Sequence, residues 1–341
     1  MFKTMFKTRK LVISILVISM LVCGVFSVYA QEKVSKYVFY FPSHIGGGDP
    51  NMKVWTTAIK DFESRYPEVE IKYFATTEFS IKEFKEFVEI AIAADPDGIM
   101  LPIVEAEAVE KPLQMAIEKG IPVIALNIED PRPQPDKIDY LCYIGESGYK
   151  TGWMLGERVL KEFAPNKPKH IVSEVALLGH VCLEARAKGF VDVMEENGVK
   201  AKRLGTGHKE SEAKELLTSY LMANPDVDVV FSTATYATPW TWSVLKSLGK
   251  TDKITMVTVD ESPTSLEAVI DGKALATHAQ NMYLQVYLAA EMLYFYNAFG
   301  MDPPVEILTG PVVIDKTNVK KWKDAMQKLW GEKAYEQYIL W

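Results

Sequence analysis

The side chains best placed to hold a polar ligand are an amide and a carboxylate that close two apolar runs. Residues 93–102, AADPDGIMLP, and 222–232, MANPDVDVVFS, each read as a helix end, an (Asp/Asn)-Pro-Asp turn and a buried strand. Each is followed by a helix and a second strand with a polar end: IPVIALN closes on Asn127, and ITMVTVD closes on Asp260. Side chains at the carboxyl ends of parallel strands face the crevice where open α/β sheets bind ligands. Read as a structural repeat, the echo places Asn127 and Asp260 on opposite walls of one cleft. Read as recurrent turn chemistry, it relates them in no way.

A glycine-rich stretch, FYFPSHIGGGDPNMKVW (39–55), raises a different chemistry. Strand, glycine loop and helix is the arrangement that cradles phosphates. Here no GK(S/T) follows the glycines, and the spacing is not GxGxxG. Asp49 and Pro50 read as the N-cap and first residue of a helix. A capping carboxylate competes for the same amide donors and repels a phosphate. The glycines then serve a tight turn and a close backbone approach to a neutral polar ligand, or form a plain flexible loop.

Other reactive constellations are missing. His44, His180 and His208 show no HxxxH or HExxH spacing, and Cys142 and Cys182 stand in no CxxC spacing, so no metal is expected. No GxSxG elbow occurs, and no carboxylate pair stands out as a glycosidase acid and base. The expectation is a binding protein without a cofactor rather than an enzyme. In PWTWSVL, Trp242 reads as core, while Trp240 suits core and cleft lining equally.

The chain has 341 residues and a formal net charge of −7. That length supports one large domain or two medium ones. Without a basic run or patch, nucleic acid is not an expected partner. Residues 1–30 stand apart. Lys3, Lys7, Arg9 and Lys10 precede an apolar run, LVISILVISMLV (11–22), too short for a comfortable membrane span. Val28-Tyr29-Ala30 then suits cleavage after Ala30, the pattern of a secretory signal. Cys23 suggests a lipoprotein box, but Val22 stands where a small residue is needed, so a lipid anchor is not expected. The mature chain is expected to be exported, periplasmic and soluble. Cys142 and Cys182 could pair or stay free, and a disulfide scaffold is excluded.

From residue 37 on, short β-branched or aromatic runs alternate with helical patterns. Strands are predicted at 37–41, 69–75, 98–102, 121–127, 140–145, 170–178, 199–205, 227–232, 253–260 and 274–280. Helices are predicted at 50–65, 80–94, 106–119, 183–197, 210–223, 263–271 and 283–299. Such alternation implies doubly wound parallel sheets. Ten strands are many for one open sheet, which favours two. AAEMLYFYNAF (289–299) is apolar most of the way round and reads as a buried helix.

Several stretches together carry a family resemblance: FPSHIGGGDPNMKVW, DPDGIMLPIVEAEAVEKPLQMAIEKGIPVIALN, YIGESGYKTGWMLGE, EARAKGF, ANPDVDVVFSTATYA and VDESPTSLEAVIDGKALATHAQ. In order and spacing the chain, from about residue 37 to 320, resembles periplasmic sugar-binding proteins of the ribose-binding type, the solute receptors of ABC transporters. The resemblance implies the type I periplasmic binding protein fold: two Rossmann-like lobes, each a parallel sheet flanked by helices, joined by a three-strand hinge. It puts 31–146 with 281–309 in the first lobe and 147–280 with 310–341 in the second. The implied partners are a monosaccharide or polyol, bound between the lobes of a monomer, and the permease subunits that receive it.

Site residues follow by position. The resemblance implies that Asp260 and Gln280 hold the family's ligand-contacting Asp and Gln, and that Arg186 is the Arg of Arg-x-x-Gly-Phe. Asn127 stands where many members have Asp, Glu146 at a hydroxyl-contacting hinge position, and His208 where an aromatic commonly stacks. His44, Asp49, Asn51 and Met52 cover the ligand's other face. Many members carry rings at the positions of Asn51 and Met52, so stacking here must come from Trp240, Tyr236 or Tyr283, or be reduced. Ala234 also replaces a common Asn. A lac-repressor-type regulator would need a helix-turn-helix where the signal stands. A signalling receptor of the same fold and a secreted glycosidase remain as competing readings. The tail, WKDAMQKLWGEKAYEQYILW (322–341), reads as an amphipathic helix packed on the second lobe.

Overall fold

The computed structural model describes residues 36–46, 51–77 and 80–341. The signal segment with its cleavage point at Ala30, and Asp49 in the opening loop, lie outside the described residues. A first sheet contains six parallel strands: β1 (Tyr37–Gly46), β2 (Val69–Thr76), β3 (Gly98–Leu101), β4 (Val123–Asn127), β5 (Cys142–Glu146) and β11 (Glu306–Gly310), in the order β11-β5-β4-β3-β1-β2. Every residue of β3, β4 and β5 is buried. Helices cover both faces of a sheet of this kind, which is why GIML and VIALN read as unbroken apolar runs. Helix α1 (Asn51–Arg65) buries Trp55, Ala58, Ile59 and Phe62 at helical spacing against it. Helices α2 (Ile81–Ala93) and α3 (Ala106–Glu118) complete the alternation.

The second sheet contains β6 (His170–Val175), β7 (Lys200–Gly205), β8 (Val229–Ser232) and β9 (Thr255–Val257), all parallel in the order β7-β6-β8-β9. Its helices are α4 (Gly148–Phe163), α5 (Val181–Glu196), α6 (Glu210–Ala223), α7 (Thr238–Ser247) and α8 (Pro263–Ile270). An antiparallel pair, β10 (Ala276–Ala279) with β12 (Val312–Asp315), joins its edge. Thr258 N–H donates to Ala276 O and Leu275 N–H to Met256 O. The expected α/β fold with parallel sheets flanked by helices is the observed one. The runs β11 and β12 were not among the ten predicted strands.

Helix α9 (Met282–Phe299) departs from its expectation. It buries one face, Met282, Gln285, Val286, Ala289, Ala290 and Leu293, rather than its whole circumference, and Leu284 and Phe299 are exposed. After α9, the tail forms two helices rather than one. Gly331, at φ +81°, separates α10 (Val319–Trp330) from α11 (Glu332–Gln337), a conformation that glycine adopts without strain.

The chain passes between the sheets three times, after β5, after β10 and between β11 and β12. Thr309 ties these crossings together. Its hydroxyl is shared between Gln280 O at 2.7 Å and Gly145 O at 3.1 Å, while Asn281 Nδ2 donates to Thr309 O at 2.6 Å. Helices α4 and α5 touch through glycines. A Cβ on Gly152 would lie 1.9 Å from Arg186 O, and one on Gly189 would lie 2.0 Å from Tyr149 O. That close approach fixes α5, and with it Arg186, beside the end of β5.

Candidate functional site

A cavity of about 740 Å³ opens at the carboxyl ends of the strands of both sheets. Asn127 and Asp260 both line it. Both are left-handed, at φ +66° and +68°, Asn127 as the last residue of β4 and Asp260 three residues past the end of β9. Asn and Asp enter that region at less cost than other side-chain-bearing residues. The echo noted in the sequence therefore corresponds to matched backbone geometry, one copy ending β4 and the other following β9.

The two residues are joined by a hydrogen-bonded relay. Asn127 Nδ2 donates to Gln280 Oε1 at 3.0 Å, and Gln280 Nε2 donates to Asp260 Oδ1 at 2.7 Å. Asp260 Oδ1 also accepts from Arg186 Nη2 at 3.2 Å, and Oδ2 accepts from the Thr235 hydroxyl at 2.7 Å. Gln285, from α9, supports the far end, accepting from Asn127 Nδ2 at 3.0 Å.

Behind this row stands Glu146. It is buried at 2% exposure and does not line the cavity, so the hydroxyl-contacting role implied for it is not where the structure places it. Its Oε1 accepts from Arg186 Nε at 3.0 Å and Nη2 at 2.6 Å, and its Oε2 faces the Thr151 hydroxyl at 2.8 Å and His278 Nε2 at 2.6 Å. Asp260 N–H donates to His278 Nδ1, which leaves Nε2–H to face Glu146. Burial alone would raise the Glu146 pKa, but the adjacent Arg186 and His278 outweigh it and hold it well below the ordinary carboxylate range. Glu146 thus orients Arg186 rather than reaching into the cavity.

A donor count shows what the row has left for a ligand. Arg186 commits Nε–H and both Nη2 hydrogens to the two carboxylates, and one Nη1 hydrogen to Thr233 O. One Nη1–H remains. Gln280 keeps one amide hydrogen, Asp260 Oδ2 keeps a lone pair, and Asn127 keeps its Oδ1. Donors and acceptors therefore alternate along one row, as a pair of vicinal hydroxyls requires, and Asn127 and Asp260 are joined through Gln280 rather than held apart on opposite walls as the sequence echo suggested.

His44, Asn51 and His208 also line the cavity, His44 from β1, Asn51 from the start of α1 and His208 from the loop after β7. His180, at the start of α5, faces His44 with ring centroids 6.5 Å apart. Burial pushes both imidazoles down, His44 to about 3 and His180 to about 4, with the His180 ring adding to the effect on His44 and Arg186 to that on His180. Cys182 lines the cavity as a free thiol, pushed up to about 12 by burial, and Cys142 is free and buried.

Two expected contacts fall elsewhere. Met52 packs on the large buried cluster that includes Phe41, Trp55 and Phe62, and Trp240 packs on Val175, Ala187 and their neighbours. Tyr236, edge-on to Trp240 at 5.4 Å, does line the cavity. Tyr283 instead stacks on Tyr287 and bonds Asp61 Oδ2 at 2.9 Å, outside the lining. Residues the sequence reading passed over are His278, Gln285, Thr235 and Leu340. His278 had a usable signal: in ATHAQ it lies two positions before Gln280, on the same strand face. Gln285 and Leu340 had none.

Similarity to known proteins agrees with this architecture. A xylose/arabinose-binding protein of Sulfolobus acidocaldarius is 27% identical over 260 residues, 73% of this chain. The chain spans 64% of that relative's length. A D-ribose/D-allose-binding protein of Pseudomonas aeruginosa is 22% identical over 66% of this chain and 73% of its own. The crystal structure of a carbohydrate transporter protein of Acidothermus cellulolyticus, in complex with myo-inositol, superposes with a TM-score of 0.75 at 20% identity, covering 86% of this chain and 99% of that one. It shows the shared fold. The model of the periplasmic binding protein domain matches residues 46–298, and the chain belongs to that family.

Proposed function

We propose that this protein is the extracytoplasmic solute-binding protein of a sugar ABC transporter. It takes a neutral monosaccharide or polyol, a pentose, hexose or inositol, into the cavity and hands it to a membrane permease. The observation that carries the reading is the matched pair Asn127 and Asp260, joined through Gln280 and backed by Arg186. The charge of Arg186 is already met by Glu146 and Asp260, so the row gives no net attraction to a phosphate. Unpaired polar groups in such a site cost about 1–3 kcal/mol each, which makes it select hydroxyl stereochemistry.

The names of the two relatives favour a pentose, and the ribose-binding type is the finer reading within that class. The protein is exported behind its signal segment and works as a monomer. Binding is its whole task. The ligand bridges the two sheets and favours the closed form, because only there does it meet both walls.

Titration calorimetry of residues 31–341 with D-xylose, L-arabinose, D-ribose and myo-inositol tests this. One saturable site for at least one of them is expected. Binding of a sugar phosphate or nucleoside, with no neutral sugar bound, overturns the reading.

A further inference from the structure

The tail beyond the matched family region reaches the cavity. Leu340, the penultimate residue, is one of its lining side chains. The last residues are not loosely laid there. Leu340 N–H donates to the Thr264 hydroxyl at 3.1 Å, that hydroxyl donates to Tyr338 O at 2.8 Å, and Trp341 Nε1 donates to Thr264 O at 3.2 Å. Lys273 lies 4.3 Å over the Trp341 ring. Thr264 belongs to the first turn of α8, four residues after Asp260. Further back, Tyr335 is buried and bonds Glu267 of α8 at 3.0 Å, while the Thr57 hydroxyl of α1 reaches Leu329 O at 3.4 Å. The tail is therefore fastened to helices of both sheets, and its end is held by three hydrogen bonds next to the Asp260 loop.

Ile45, Ile128, Leu177, Leu183 and Met282 also line the cavity, and Leu340 adds to this apolar lining from the tail. Asn51 and Met52 bring no ring to it, and Met52 is turned to the core. A sugar presents hydroxyl edges and an apolar C–H face, and the polar row through Asn127, Gln280 and Asp260 serves only the edges. We propose that Leu340 is a ligand-contacting residue, and that with Tyr236 it forms the apolar wall against the C–H face of the bound sugar. This rests on the sugar-binding reading above. The wall is aliphatic on the tail side, so it tolerates variation in ring shape and gains its free energy from area covered rather than from ring stacking.

The test measures Kd for D-xylose, L-arabinose and D-ribose with the parent chain and with Leu340→Ser, Leu340→Met and Trp341→Ala. The proposal expects Leu340→Ser to raise Kd about tenfold through faster release, with the ligand-free melting point unchanged. Leu340→Met should bind like the parent, and Trp341→Ala should change Kd by less than Leu340→Ser does. Equal Kd for the parent and Leu340→Ser overturns the wall while leaving the sugar reading intact. A Trp341→Ala loss equal to that of Leu340→Ser also overturns it, since the tail then acts only by being attached. A parent chain that binds none of the three sugars overturns both.

Discussion

Replacing Asp260 by Asn separates the site's charge from its shape. The backbone there is left-handed at φ +68°, which Asn accepts, whereas Ala would add strain of about 1–2 kcal/mol. The side chain now has one oxygen for three donors: Arg186 Nη2 at 3.2 Å, Gln280 Nε2 at 2.7 Å and the Thr235 hydroxyl at 2.7 Å. The oxygen stays with Arg186 and Gln280, and the amide nitrogen takes the place of Oδ2. Thr235 can turn to accept from it, because its hydroxyl also reaches Val259 O. A ligand hydroxyl that donated to Oδ2 cannot adapt so easily, since it now meets a donor. A hydrogen bond to a charged group contributes about 1.5–3 kcal/mol, so Kd should rise about 10- to 150-fold. Calorimetry with the sugar bound by the parent chain measures this, and melting of the ligand-free variant shows that the fold is intact. A folded Asp260→Asn variant with Kd within threefold of the parent would refute the placement of the ligand against Asp260.

Four further outcomes follow from the same contacts. Glu146→Gln should lower stability by about 3 kcal/mol in urea unfolding, because Arg186 then keeps only Asp260 as a buried charge partner. Gly189→Ala should weaken sugar binding along with stability, since the added methyl meets Tyr149 O and pushes α5 and Arg186 from β5; normal affinity would show that α5 does not position Arg186. Glu174, buried against the Thr206 and Thr241 hydroxyls, is pushed up by burial from 4.5 to about 7. Its contribution is full below pH 4.5 and is lost as pH rises through 7, up to about 3 kcal/mol, and Glu174→Gln should remove that loss. His44 and His180 are pushed down, so the unfolded chain takes up protons first and stability falls as pH drops from 6.5 toward 3–4; a His44→Asn, His180→Asn double variant should flatten that slope.

The parts legible in the sequence were those set by local chemistry. Period and turn residues placed the runs leading to Asn127 and Asp260, because the (Asp/Asn)-Pro-Asp turns before β3 and β8 are local signals and the next apolar run in each copy leads to the polar residue. The left-handed ends of those runs suit the Asn and Asp that occupy them, so residue type and geometry agree. What escaped depends on distant contacts. Glu146 sits at the expected hinge strand, but only the approach of α5 through Gly152 and Gly189 turns its carboxylate toward Arg186 instead of the cavity. Met52 and Trp240 carry no mark that separates a core face from a cleft face, and the packing around them decided it. The strand Glu306–Gly310 is half-exposed and lacks a clean alternation. The path of the tail past Gly331 to Thr264 is fixed by partners far away in sequence, including the first-sheet helix that carries Thr57.

A crystal structure of residues 31–341 grown with the tightest-binding neutral sugar is the most direct check. The expected result is one sugar molecule in the cavity, with hydroxyls within about 3.2 Å of Arg186 Nη1, Asp260 Oδ2 and Asn127 Oδ1. A sugar bound elsewhere, or bound in the cavity without touching Asp260 or Asn127, would contradict the assignment of these two residues to the recognition row.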